Sequence, residues 1–278
     1  IEGKVNSIKL GEKSDPLEYS RRDEIGDVFL ALNEMEKEIN DSREFQIKYE
    51  DKRSELLANI AHDLKTPMTA IRGYVDGIND GVANTPEKLK KYTSIISTYV
   101  KDMDVLIDDL TLLSNLDTNN NSMKFENVLF KEYIEDCTYE LDFEMEEHKI
   151  SFEYTMNIDE SSRVIMDRDK IKRVINNVVT NAIKFTKKEF REIKLIIEED
   201  SRYISVYVRD NGIGIESEKL ENIFDRFYRV DQSRSSNTGG SGLGLSIAKQ
   251  IIEEHGGIIA ARSEFEVYTE IYFKLKKV

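Results

Sequence analysis

The most constraining feature of this 278-residue sequence is a row of apolar side chains between positions 89 and 113. Leu89, Tyr92, Ile96, Tyr99, Met103, Leu106, Leu110 and Leu113 are spaced 3-4-3-4-3-4-3. That spacing keeps one seam of a helix apolar, as in a coiled coil. Thr85-Pro86-Glu87 ahead of it supplies an N-cap hydroxyl, a proline at the first helical position and an acid in the first turn. A second stripe precedes it: at about 100° per residue, Leu57, Ile60, Leu64, Ile71, Val75 and Ile78 fall on one face. A short loop over 79–84 joins the two, which predicts an αα-hairpin. A lone hairpin cannot cover its own stripe. The economical solution is a homodimeric four-helix bundle, and the alternative is packing on another domain of the same chain.

The first of these helices carries His62 on the side opposite Ile60, facing solvent. Thr66 follows one turn later on the same face, and Asp63 sits beside the ring. Pro67 lacks an N–H and crowds the carbonyl of residue 63, so a kink is expected there. A neutral imidazole is a competent nucleophile towards phosphoryl groups, although a surface histidine alone is ordinarily only that. Upstream, Ile25, Val28, Phe29, Leu32, Met35 and Ile39 keep helical spacing from Asp23 onward. Residues 40–55 are more charged and weaken the seam without a Gly or Pro to end the helix.

The charge balance is strongly acidic, 54 Asp and Glu against 40 Lys and Arg, for a net charge of −14. That argues against a nucleic-acid binder, which would show a basic face. The single cysteine, Cys137, excludes a disulfide within the chain and reads as a small buried helical residue. No run of about 18 apolar residues is present, and no signal peptide is visible. The chain opens on Ile1 rather than Met, which fits a piece excised from a longer protein. Any membrane-spanning part of such a longer protein would be absent from this chain, which is itself expected to be soluble.

After an Asn-rich linker at 117–122 the pattern becomes mixed α/β. Strands are expected at 125–130, 150–156, 163–166, 192–198, 203–209, 258–261 and 268–275. Helices are expected at 131–148, 169–185, 217–227 and 243–254, and a long Ser-, Asn- and Gly-rich loop at 228–241. His148 and His255 each end a helix, where a cationic ring is favourable.

Three segments of this second half could serve one ligand. Asn177 and Asn181 share a helical face, where amide oxygens can hold a hard cation such as Mg²⁺ that leans on phosphate, with Lys184 adding positive charge. Asp210-Asn211-Gly212-Ile213-Gly214-Ile215 follows a strand. Its glycines allow close backbone approach, and its carboxylate can accept from an exocyclic amine such as that of adenine. Gly239-Gly240-Ser241-Gly242-Leu243-Gly244-Leu245 opens a helix, whose N-terminus favours anions. Neither the dinucleotide GxGxxG spacing nor a P-loop is present.

Together, in this order, these segments resemble the ATP-binding domain of sensor histidine kinases, of the wider group shared with gyrase, Hsp90 and MutL. The Asn box is Asn177/Asn181. The Gly boxes are Asp210-x-Gly212-x-Gly214 and Gly240-x-Gly242-x-Gly244. Phe224 and Phe227 match the Phe box, and His62-Asp63-Leu64-Lys65-Thr66-Pro67 matches the phosphoacceptor box. The resemblance covers roughly residues 50–278. Asp23-Glu24-Ile25-Gly26 with Asn33-x-Met35 looks, more loosely, like the second half of a HAMP relay domain.

The resemblance implies a multidomain chain. A partial HAMP-like segment would occupy 1–40 and an all-α dimerisation and phosphoacceptor hairpin 41–117, forming a dimeric four-helix bundle. An α/β sandwich ATP-binding domain would occupy 123–278. It implies that Asn181 and Asn177 hold Mg²⁺, Lys184 meets phosphate, Phe185 packs near adenine and Asp210 binds its amino group. Gly212, Gly214, Ile215, Phe224, Phe227, Gly240, Gly242, Leu243 and Gly244 would shape the nucleotide site. His62 would attack the γ-phosphoryl of ATP with Asp63 as general base or orienter. An aspartate of a response regulator would then receive the phosphoryl group, and Thr66 would be placed to orient a water that removes it again. Two rivals remain from sequence: an ATP-driven clamp without phosphohistidine, and a relay module that binds nucleotide passively.

Overall fold

A computed structural model describes residues 23–117, 123–186, 189–230 and 242–278, together with Gly3 and Lys9. The chain forms two units, Ile1–Asp63 and Leu64–Val278. Much of the relay segment expected over 1–40 lies outside the described residues, as do the linker at 118–122 and the stretch 231–241.

Helix α1, Glu24–Asn79, runs unbroken through residue 40 and through Pro67. Asp23 caps it, its carboxylate accepting the Gly26 N–H at 3.1 Å. In the second unit, α1 ends at Asn79 and α2 spans Pro86–Asp117. Thr85 acts as the expected N-cap, accepting the Lys88 N–H at 3.3 Å, and hydrogen bonding holds the Glu87 carboxyl below its usual range. Tyr74 meets Tyr92 edge-on across the hairpin at 5.1 Å.

The apolar stripes meet two fates. Near the loop, the α1–α2 face stays open: Leu89 of the seam and Val75 of the α1 stripe are exposed. Farther along, Leu106, Leu112 and Leu113 are buried in the same cluster as the sheet residues that follow. The last turns of α2 therefore belong to the same apolar core as the sheet, beyond what the heptad alone suggests. Asp109, in the middle of that apolar surface, is paired with Arg173.

The α/β part contains β1 (Glu126–Leu129), α3 (Phe130–Glu147), β2 (Ser151–Asn157), β3 (Arg163–Met166), α4 (Arg168–Phe185), β4 (Glu192–Glu199), β5 (Tyr203–Asp210), α5 (Ser217–Leu220), α6 (Gly244–Glu254), β6 (Ile258–Glu264) and β7 (Tyr268–Lys276). The main sheet has the order β2-β4-β5-β7-β6, parallel between β2 and β4 and antiparallel elsewhere, and β1 pairs with β3 alone. Register explains the layering. Leu195 lies opposite Val208, which lies opposite Ile271, and Ile197–Val206–Phe273 forms the next row. All are essentially buried, so one face of the sheet carries the helices and the core. The other face stays half-exposed, with Tyr207 stacked on Tyr272 at 5.4 Å. The expected turn at 200–201 is made by Asp200, whose carboxylate accepts the Arg202 and Tyr203 N–H groups. Cys137 is buried on α3, and burial pushes its thiol pKa up. The helix expected over 217–227 is shorter than its 3-4 spacing suggests. Only 217–220 is helical, and Asn222 and Asp225 continue as turns bonded to the carbonyls of Lys219 and Asn222.

Candidate functional site

Helix α4 is set by its own sequence. Ile171, Val174, Ile175, Val178, Val179 and Ala182 form the buried stripe, and Asp167 caps the N-terminus by accepting the Lys170 N–H at 3.1 Å. Asn177 and Asn181 sit half-buried at the edge of that stripe. The Asn177 amide donates to the Gly244 carbonyl at 2.9 Å, which ties α4 to the first residue of α6. With its Nδ2 committed, Asn177 keeps its Oδ1 as an acceptor. Asn177 and Asn181 are thus the oxygen donors here that suit a hard cation. Among the described residues no group of three or more His, Cys, Asp or Glu could hold a metal ion. A cation here would have to lean on ligand oxygens, as Mg²⁺ does with phosphates. Lys184 places its ammonium over the exposed Phe185 ring, 5.3 Å from the centroid.

The turn after β5 is pressed onto the end of α4. Asp210 is buried, and its Oδ1 accepts the Gly212 N–H at 2.8 Å. The Ile213 N–H donates to the Phe185 carbonyl at 3.3 Å, and the Glu266 N–H donates back to the Ile213 carbonyl at 2.7 Å. Asn211 braces the turn from outside by accepting the Glu192 N–H and donating to the Phe190 carbonyl. The Ile215 N–H donates to the Ser263 hydroxyl oxygen at 2.8 Å.

These contacts change the meaning of the first two glycines. A Cβ on Gly212 would lie 2.5 Å from the Phe185 carbonyl oxygen, and one on Gly214 would lie 2.1 Å from that of Glu264. Gly214 also has φ +64°, a left-handed conformation that disfavours other residues. The space a side chain would need is filled by the protein's own backbone, where the sequence had suggested room for ligand.

The Phe-box segment closes the other side. Phe224, Phe227 and Leu243 pack on the core. The Phe227 N–H donates to the Gly242 carbonyl at 3.0 Å, and Gly242, at φ +67°, leaves no room for a Cβ against Phe227. Phe227 itself has φ +62°. A bulky residue in that region holds strain of about 1–3 kcal/mol, a trait of binding and switch sites. Helix α6 then begins at Gly244, with no side-chain cap from Leu243. At Gly244 an added Cβ would make only ordinary contact with Asn177. Gly240 lies outside the described residues.

On α1, His62 is 77% exposed while Asp63 is 23% exposed. His62 Nδ1 is 3.1 Å from Asp63 Oδ1. With Nδ1 protonated, the ring donates to the carboxylate. Thr66 is exposed on the same helix.

His255 departs most from its sequence reading. The ring is half-buried; its Nε2 accepts the Asp167 N–H at 3.0 Å, and Nδ1 lies 2.7 Å from the Ile251 carbonyl. Burial lowers its pKa, so it is a neutral, doubly bonded ring and not the cation favoured at an exposed helix end.

The comparisons agree with this geometry. Residues 166–278 match the family model described as histidine kinase-, DNA gyrase B- and HSP90-like ATPase, and residues 52–119 match the His Kinase A (phospho-acceptor) domain. Over 258 residues the chain is 32% identical to the histidine protein kinase SaeS of Staphylococcus epidermidis, covering 91% of this chain and 72% of that protein. It is 33% identical over 236 residues to the sensor protein kinase WalK of Staphylococcus aureus, covering 83% of this chain and 55% of that protein. The solved complex of histidine kinase ThkA with the response regulator protein TrrA aligns at TM-score 0.64 and 27% identity, over 85% of this chain and 66% of that one. The Acinetobacter baumannii histidine kinase AdeS shares the fold at TM-score 0.60 and 23% identity, over 77% of this chain and 97% of that one. With a phospho-acceptor segment around His62 and an ATPase domain built on the Asn177 and Asp210 elements, this chain belongs to the histidine protein kinases.

Proposed function

We propose that ATP binds along the α4–α6 face and that His62 is the residue phosphorylated. The observation that carries this is the exposed His62 ring, whose Nδ1 lies 3.1 Å from the Asp63 carboxylate. Asp210 would accept from the adenine amino group and Phe185 would lie beside the base. Lys184, together with the N-terminus of α6, would face the phosphates. Gly212, Gly214, Ile215 and the Phe227–Gly242 contact would hold the walls in place. Mg²⁺ held by Asn177 and Asn181 would neutralise phosphate charge. His62 Nε2 forms a bond to the γ-phosphorus as the bond to the β-phosphate oxygen breaks and ADP leaves. Asp63 takes up the positive charge that develops on the ring by accepting its Nδ1 proton.

The domain division that fits is a relay segment at 1–40, the phosphoacceptor hairpin at 41–117 and the catalytic domain at 123–278. Met68, Ile71, Val75, Val100, Met103 and Ile107 line an apolar groove between α1 and α2. A second copy of the hairpin would cover it, giving a homodimeric bundle. The phosphoryl group would pass to an aspartate of a response regulator, the kind of partner named in the ThkA complex. Among the described residues no helix is long and apolar enough to cross a membrane; a cytoplasmic portion of a membrane-bound sensor is the placement proposed for the chain.

Incubation with γ-labelled ATP and Mg²⁺ tests the reading. Acid-labile label on the wild-type chain and none on His62→Gln is expected. Label that persists on His62→Gln would move the acceptor elsewhere, and phosphate release without labelled protein would favour a clamp ATPase. Thr66, exposed on the His62 helix, is proposed to position water for dephosphorylating the regulator. Thr66→Ala should keep autophosphorylation and lose that step, and loss of both would remove the specific role.

A further inference from the structure

Helices α4 and α6 carry the two halves of the nucleotide site, and their packing is largely apolar. Val174 and Val178 of α4, and Ile247 and Ile251 of α6, are all buried. Apolar packing excludes water but fixes axial position weakly, because it is non-directional. Two hydrogen bonds supply the direction. At the nucleotide end the Asn177 Nδ2 donates to the Gly244 carbonyl at 2.9 Å. At the far end the Asp167 N–H donates to His255 Nε2 at 3.0 Å. The first bond joins the middle of α4 to the start of α6, and the second joins the start of α4 to the end of α6, so the helices run antiparallel between the two. Asp167 and Asn177 are ten residues apart, about 15 Å of helix, and Gly244 and His255 are eleven apart, about 16 Å. The two bonds therefore fix both ends of one helix pair.

The far bond exists in only one protonation state. Nδ1 carries the proton, donating to the Ile251 carbonyl at 2.7 Å, and Nε2 must be a bare lone pair to accept the Asp167 N–H. A proton on Nε2 would set two donors against each other.

We infer that His255 is a positioning residue for the nucleotide site, holding α4 and α6 in register through its neutral ring, and that protonating it loosens the site. The inference rests on the nucleotide reading of the α4–α6 face. The surroundings support a neutral ring. Burial, the largest influence, disfavours the cation, while the Ile251 carbonyl and the Asp167 carboxylate pull the other way. That carboxylate is itself engaged by the Lys124 and Lys170 N–H groups. Glu254, next along α6, has its own pKa raised by burial against the pull of Lys170. Phe125 closes the ring edge-on at 5.1 Å.

The test is Mg–ADP affinity measured by calorimetry from pH 7.5 to 5.5, on the wild-type chain, His255→Gln and His255→Phe. Nuclear magnetic resonance follows the His255 ring and the Asp167 amide of the wild type over the same range. Wild-type affinity should fall roughly tenfold on acidification, the worth of one hydrogen bond made or broken. The Asp167 amide should shift on the same curve as the ring. Glutamine can accept the Asp167 N–H without titrating, so His255→Gln should keep near-wild-type affinity at pH 7.5 and lose the steeper acid limb. Phenylalanine fills the space without accepting, so His255→Phe should bind roughly tenfold more weakly at pH 7.5. An acid limb in His255→Gln equal to that of the wild type overturns the inference, as does an Asp167 amide that ignores the ring. Wild-type affinity in His255→Phe at pH 7.5 also overturns it. If His255→Phe fails to fold, the glutamine profile and the amide titration decide. A wild-type chain that binds no ADP at pH 7.5 while the ring and amide titrate together refutes the nucleotide reading and leaves the hydrogen-bonded pair standing.

Discussion

Replacing Gly214 by alanine separates two causes of glycine usage. Gly214 and Gly256 have nearly the same backbone, φ +64° and +65°. An alanine pays the left-handed penalty at either site, about 1–2 kcal/mol. Their surroundings differ: around Gly256 an added Cβ meets nothing within 4 Å, but at Gly214 it would lie 2.1 Å from the Glu264 carbonyl oxygen and 2.8 Å from the Phe265 Cα. The turn between β6 and β7 would have to move by roughly an ångström. That would break the Glu266 N–H to Ile213 carbonyl bond, now 2.7 Å long, at about 1 kcal/mol. Repacking adds about 1–3 kcal/mol. Gly214→Ala should therefore destabilise by roughly 3–6 kcal/mol against about 1–2 for Gly256→Ala. The chain has no tryptophan, so urea unfolding is best followed by circular dichroism. Equal destabilisation by the two substitutions would refute the claim that the first Gly box is shaped by its own backbone.

The Asp109–Arg173 pair sits where α2 meets α4, with Asp109 8% and Arg173 30% exposed. Arg173→Ala removes the guanidinium from a buried carboxylate and should cost about 2–3 kcal/mol, less than the about 3–5 for a fully buried pair because Arg173 is partly solvated. A double-mutant cycle with Asp109→Asn should show a coupling above about 1 kcal/mol, measured by denaturation. Because the folded pKa of His255 is depressed below its ordinary value near 6.5, the unfolded chain takes up a proton that the folded chain refuses. Its contribution to stability is then complete above about pH 6.5 and declines as pH falls below it, visible as a wild-type melting temperature that drops faster with acid than that of His255→Gln. Asp210→Asn keeps an oxygen to accept the Gly212 N–H and should fold normally while losing at least about tenfold in ADP affinity by calorimetry.

The strands were legible because apolar residues such as Ile193, Leu195 and Ile197 recur at every second position, and a sheet covered on one face imposes that period. Helix α4 was legible because its apolar stripe and Asp167 cap are local signals. The segment ending at Phe227 was not. Leu220, Ile223, Phe224 and Phe227 have helical spacing, yet the chain turns there to bond Gly242. The glycines showed where a Cβ is unwelcome without showing what takes its place. The roles of His255 and Asp109 depend on partners far along the chain, Asp167 and Arg173, and periodicity reports only neighbours within one element. For the His62–Asp63 pair, adjacency in sequence was enough to find the residues, and the structure added that the ring meets the carboxylate through Nδ1.

The bond from the Phe227 N–H to the Gly242 carbonyl also bears on chain length. It joins Phe227 to Gly242 across the fourteen positions 228–241, so the two ends of that stretch are held together by backbone. Doubling such an insert costs only about 0.6 kcal/mol of closure entropy. Closure entropy by itself thus penalises a change in the length of this stretch only weakly.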